Sequence, residues 1–113
     1  MGQNPDFAKS GRSYPSGAAA QKIVLLPKKC VAHNITVTSA SAEFILIFDA
    51  TVVPANADTS CVDMVKLAAG ATFQFTYPKG KIFESGICVA TSSTGPALTA
   101  GSSNGWACAT VDV

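Results

Sequence analysis

A chain of 113 residues has room for one domain, with a core large enough to fold without metals or disulfide staples. Charged residues make up only 13% of it, about half the usual fraction, and a net charge of +1 offers no clustered basic face to displace counterions from nucleic-acid phosphates. Its longest apolar runs, residues 23–26 and 44–48, are too short to span a bilayer and no secretory signal opens it, so the chain reads as soluble and made in the cytoplasm, with neither membrane nor nucleic acid as partner.

Residues 1–20 carry Gly, Ser, Pro, Asn and isolated charges, with Phe7 and Tyr14 as their only large aromatic side chains. Such a segment cannot offset its own ordering entropy, so it is expected to be an extended N-terminal arm that gains order against a partner. A helical turn is allowed only near residues 18–21. From Gln21 the signals are those of strands, and residues 21–113 form the expected β-domain. Residues 23–26 are a short apolar run stopped by Pro27. Residues 31–38 alternate, with Ile35 and Val37 on one face and Asn34, Thr36 and Thr38 on the other. Residues 43–50 are dominated by Phe44, Ile45, Leu46, Ile47 and Phe48, which predicts a central strand buried on both sides. The small, polar stretch 53–58 leads to a strand over 61–67 in which Val62, Met64 or Val65, and Leu67 can face inward. Ala69-Gly70 turns the chain into residues 72–77, where Phe73, Phe75 and Tyr77 alternate with Thr72, Gln74 and Thr76.

Pro78-Lys79-Gly80 predicts the next turn, Ile82-Phe83 a brief edge segment and residues 86–91 a further strand. A Ser, Thr and Gly-rich loop, 92–105, precedes the last strand from Trp106. Seven or eight short strands without a helical stripe predict an all-β, antiparallel β-sandwich or jelly-roll-like barrel. The expected core includes Ile35, Val37, Phe44, Leu46, Phe48, Phe73, Phe75 and Val89. The cysteines, Cys30, Cys61, Cys88 and Cys108, lie in or beside apolar runs and are expected to be reduced. If a bridge exists, Cys88 and Cys108, on the strands flanking the 92–105 loop, are the pair to watch. The sequon Asn34-Ile35-Thr36 has no route to glycosylation without secretion.

Catalytic chemistry finds little support. The single histidine, His33, starts an alternating strand and lacks the context of a nucleophile or base, and Cys30 with His33 lacks the second pair that a structural zinc site wants. The carboxylates form no calcium loop, and Gly101-Ser102-Ser103-Asn104-Gly105 lacks the helix that a phosphate cradle needs. No enzyme activity, metal or cofactor is therefore expected. Trp106 with Tyr77 and Tyr14 could provide a stacking platform for sugars, and Tyr77 with Trp106 is the alternative ligand face.

The run Phe44-Ile45-Leu46-Ile47-Phe48-Asp49-Ala50-Thr51-Val52-Val53-Pro54-Ala55 places an aromatic-Asp-Ala-Thr turn after an apolar strand. A second segment, Tyr77-Pro78-Lys79-Gly80-Lys81-Ile82-Phe83-Glu84-Ser85-Gly86-Ile87-Cys88-Val89, combines an aromatic-Pro turn with a later Phe and Gly, and Ser92-Ser93-Thr94-Gly95-Pro96 precedes the final strand. Together these resemble small β-sandwich virion structural proteins of tailed bacteriophages, of the capsid decoration or cement kind. The resemblance implies a module attached to a phage particle, made in the host cytoplasm, with the major capsid protein or other virion proteins as partners. Homo-oligomerisation is then expected, with a trimer favoured, and no catalytic residue is carried over. In the arm, Phe7 and Tyr14 are the expected anchors and Arg12 the polar contact, because interface energy concentrates in aromatic and arginine side chains. The alternative reading is a tail- or fibre-associated adhesion module that binds host-surface glycans through Trp106 and the 92–105 loop. An enzyme accessory or inhibitor domain stands third.

Overall fold

The computed structural model describes residues 12–17, 20–95, 97–99, 101–102 and 104–113. Eight strands follow in order: β1 (Arg12–Pro15), β2 (Lys22–Leu26), β3 (Cys30–Ser39), β4 (Glu43–Asp49), β5 (Asp63–Leu67), β6 (Thr72–Phe83), β7 (Ile87–Ser92) and β8 (Gly105–Asp112). They make two four-stranded sheets, β1-β8-β3-β6 and β2-β7-β4-β5. All pairings are antiparallel. The rungs β1–β8, β2–β7, β3–β6 and β4–β5 are those of one long hairpin whose tip is the β4–β5 connection. Successive rungs fall in alternate sheets, and the pairs β3–β8 and β4–β7 close each sheet. That wrapping is the eight-stranded jelly roll.

The main core lies between the sheets. Ile35, Val37, Phe75, Phe83, Ala109 and Val111 enter it from one sheet and Ile23, Ile45, Ile47, Ile87 and Val89 from the other. Each fully buried large side chain contributes about 1.5–3 kcal/mol. β4 is buried on both faces, as its unbroken apolar run predicts. Ile45 and Ile47 face the main core, while Leu46 and Phe48 join Cys88, Ala90 and Leu98 in a second cluster on the far side of the sheet. Two loops cover that cluster, and they hold each other. Ala57 N donates to the Leu98 carbonyl at 2.6 Å, and Leu98 N donates to the Asp58 carbonyl at 2.8 Å.

In β3 the buried side chains are Cys30 and Ala32, then Ile35, Val37 and Ser39. This change of phase is the work of one extra residue. Against β8, Ala32 pairs with Val111 and Asn34 with Thr110, leaving His33 bulged between them. A single added residue turns every later side chain to the opposite face.

Several sequence expectations are corrected. Pro78-Lys79-Gly80 does not end a strand; β6 runs through it, with residues 77–80 looping out opposite His33 between the pairs Asn34–Thr76 and Ala32–Lys81. Phe73 is not a core residue. It shares the inner face with Phe75, but β6 is the outermost strand of its sheet and Phe73 is 41% exposed. β5 is shorter than expected, and Val62 and Met64 are exposed. The sheet also begins inside the expected arm, since β1 pairs with β8 and Tyr14 packs against the main core. Residues 18 and 19 of the allowed helical turn lie outside the described residues, and Ala20 forms an antiparallel bridge to Gly105. All four cysteines are free, with Cys30 and Cys88 buried. Cys88 and Cys108 sit in different sheets, Cys88 in the outer cluster of one and Cys108 on the outer face of the other, so neighbouring strands do not bring them together.

Candidate interaction face

The outward side chains of the β1-β8-β3-β6 sheet form cross-strand rows. Pro15, Cys108, Thr36 and Gln74 make one, and Ser13, Thr110, Asn34 and Thr76 another. Trp106, Thr38 and Thr72 make a third. None of these residues is charged. Their inward neighbours Tyr14, Ala107, Ala109, Ile35, Val37 and Phe75 pack on the core, so the pleat obliges the row residues to face out. The hydroxyls of Thr38 and Thr72 hydrogen-bond across the β3–β6 pair at 2.8 Å. Trp106 is 41% exposed. With Pro15, Ser16, Gly17, Thr36 and Thr38 it borders a shallow, open depression of about 230 Å³.

The connecting loops at the two ends of the sandwich differ in charge, although Lys22, Glu43 and Lys66 lie in the strands next to the Trp106 end. The connections at the end where Trp106 lies, residues 16–21, 39–42, 68–72 and 92–105, contain no Asp, Glu, Lys or Arg. The opposite end carries Lys28, Lys29, Asp49, Asp58, Asp63, Lys79, Lys81, Glu84 and Asp112. There His33 Nε2 meets Asp112 Oδ2 at 2.8 Å, and Lys29 meets Glu84 at 3.4 Å. Both pairs are solvent-exposed, a setting in which such contacts contribute little.

Two carboxylates hold the loops that frame the face. Glu43, only 6% exposed, accepts from the Ser102 backbone N at 2.8 Å, the Ser102 hydroxyl at 2.7 Å and the Ser39 hydroxyl. The 92–105 loop is fixed further by Thr91, whose hydroxyl donates to the Ser102 carbonyl at 2.8 Å, and by the Gln21 amide, which donates to the Gly101 carbonyl. Asp49 accepts from the backbone N–H groups of Glu84, Ser85 and Gly86 at 3.0, 2.8 and 3.3 Å. Asp49 and Gly86 belong to the two segments 44–55 and 77–89 singled out in the sequence, and here they clasp each other. A Cβ on Gly86 would collide with the Leu26 carbonyl oxygen, so only glycine fits. Their shared pattern is structural. These clasps are not legible locally in the sequence, because Ser102 lies 59 residues from Glu43 and the N–H groups that Asp49 holds lie 35 to 37 residues from it.

The sequence-derived site residues do not converge. Trp106 lies on the outer face at the end whose loops are uncharged. Tyr77 packs against the inner core from the bulge at the other end, where its hydroxyl donates to Asp63 at 2.9 Å. Burial, reinforced by that bond, pushes the Tyr77 phenol well above its usual range. Tyr77 and Trp106 therefore do not form one stacking platform. Tyr14 is engaged by its own domain's core. Arg12 opens β1, where its backbone pairs opposite Val111, and Phe7 lies outside the described residues.

The fold places the protein among eight-stranded jelly rolls, an architecture used by viral capsid domains, lectins and cupins alike. No family model and no curated protein matches the chain. Among solved structures it is similar to a chain in the cryo-EM structure of the virus-like particle of extra small virus from the giant freshwater prawn Macrobrachium rosenbergii. The TM-score is 0.44 at 9% identity, over 90% of this chain and 75% of that one.

Proposed function

We propose that the protein is a non-enzymatic structural component of a tailed-phage particle, a decoration or cement protein that binds the shell of major capsid protein and stabilises it. The observation that carries this reading is the three uncharged cross-strand rows on the outer face of the β1-β8-β3-β6 sheet, with charge entering that face, among the described residues, only at Asp112 towards the far end. Docking a surface costs the entropy of its side chains and the desolvation of its charges. Thr, Ser, Cys and Pro lose little rotamer freedom compared with Lys, Glu or Arg, and no ion on these rows has to be stripped of water. Such a face suits protein contact better than free solution. Residues 1–11 precede β1 at one edge of the same sheet, so an arm and a face could engage neighbouring shell subunits together.

A second reading is favoured by Trp106 beside the hydroxyls of Thr36 and Thr38. An exposed indole flanked by hydrogen-bonding groups is a device for stacking on a sugar ring, which would suit a tail-associated glycan-binding module. Peptide quantification on purified particles separates the two. Hundreds of copies per particle support decoration, a handful supports the tail, and absence from the particle refutes both. Trp106 is the sole tryptophan, so its emission reports directly on the face. Binding to shells stripped of this protein should shift the emission to the blue and shield it from acrylamide. Unchanged quenching on a particle that binds the protein would exclude the Trp106 end from the contact.

A further inference from the structure

The two sheets have four edge strands, β1, β6, β2 and β5. An edge offers a row of unpaired backbone groups, and proteins block it with charge, proline or a bulge. β1 is four residues long and ends in Pro15. β2 carries Lys22, a register shift between Val24 and Leu26, and Pro27 beyond it. β5 carries Asp63 and Lys66. The first half of β6, Thr72-Phe73-Gln74-Phe75-Thr76, has none of these devices; its register against β3 is unbroken until the bulge after Thr76. Among the described strands none pairs with its outer side.

That segment is also a palindrome about Gln74. We propose that the outer edge of β6 pairs antiparallel with the same edge of a second copy across a two-fold axis at Gln74, joining the two sheets into one of eight strands. The axis sets Thr72 opposite Thr76 of the other copy, Phe73 opposite its Phe75, and Gln74 opposite its own counterpart. An isologous contact needs a self-complementary patch, and a palindromic strand supplies one. The pleat keeps the faces matched, with Phe pairs on the inner side and Thr and Gln on the outer side. A one-residue slip would set Phe against Thr and lose this match. The pairing covers Phe73, which is 41% exposed and already makes an edge-on contact with Phe75 at 5.0 Å between ring centroids. No charge on the segment opposes its own copy. The contact is independent of attachment to a shell and differs from the three-fold association expected from the resemblance.

Analytical ultracentrifugation of the full chain tests it, with Gln74→Lys, Gln74→Glu and an equimolar mixture of the two. Gln74 is exposed on the outer face, so both variants should keep the wild-type far-UV spectrum and melting temperature. Wild type should show a concentration-dependent dimer. Each variant should weaken it by about two- to fivefold, because like charges then face each other at the axis. The mixture should restore or exceed wild-type affinity. A wild type that stays monomeric to about 1 mM, the range of the weakest specific contacts, overturns the proposal. So does a trimer, or a dimer indifferent to both substitutions. Loss of particle binding by Gln74→Lys with a monomeric wild type would assign Gln74 to the shell-binding face alone and equally refute self-pairing.

Discussion

Replacing Glu43 should loosen the end of the sandwich where the 92–105 loop is anchored. The carboxylate accepts three hydrogen bonds, from Ser39 and from the backbone and hydroxyl of Ser102. Hydrogen bonds to a charged group contribute roughly 1.5–3 kcal/mol each, so their simple sum is about 5–9 kcal/mol. Removal also relieves the cost of holding a carboxylate away from water, several kcal/mol, and lets water satisfy part of what is exposed. The net loss for Glu43→Ala is about 3 kcal/mol. Glu43→Gln keeps the volume, one acceptor for the Ser102 N–H and an amide that a serine hydroxyl can accept from, so its cost is about 1 kcal/mol. For a domain of this size these correspond to falls in melting temperature of about 13 °C and 4 °C. Thermal and urea unfolding measure the magnitude, and hydrogen exchange places it. Protection should be lost first at residues 101–105 and 39–43, with β4 and β7 retaining theirs. A Glu43→Ala loss below about 1 kcal/mol, or a uniform loss of protection, would refute the view that this carboxylate anchors the loop.

Gly86→Ala should cost at least about 2 kcal/mol, since the added methyl meets backbone atoms of Leu26, Ala50 and Lys28 that cannot yield; a neutral result by urea melt would contradict the packing of that turn. Burial pushes the Cys88 thiol from its ordinary 9.0 up to about 11, and it raises Cys30 and Cys61 as well. The folded-state value lies above the unfolded one, so this stability is fully present below pH 9 and is lost as pH rises towards 11. Urea midpoints should stay level as far as these thiols are concerned up to pH 9 and then fall, and Cys88→Ala should flatten the decline. Alkylation without reductant should modify Cys61 and Cys108 in the native protein and all four thiols after unfolding.

Much of the fold is legible in the chain. Alternation at residues 31–38 and 72–77 and the unbroken run at 44–48 specify strands and the doubly buried β4, because the pleat is a local property with a period of two. Asp49 is visible as a turn residue, whereas Gly86 reads as the first residue of a strand that in fact begins at Ile87, and the uncharged loops are there to be read in the composition. What alternation leaves open is where a strand lies across a sheet. Phe73 and Phe75 have the same phase on the same edge strand, yet one is exposed and the other buried, because Phe73 sits one residue from the start of β6 at the end of the sandwich while Phe75 lies further in, against the main core. The reversal of phase in β3 was hidden for a related reason: the bulge at His33 is defined by pairing with β8, nearly eighty residues away. The same holds for the interaction face. Thr36, Thr38, Thr72, Thr110 and Trp106 are separate residues in the sequence, and only the order β1-β8-β3-β6 lays them side by side. The chain determines which side chains share a face of each strand; which strands become neighbours, and which are left as edges, is decided by contacts between distant segments that no local pattern contains.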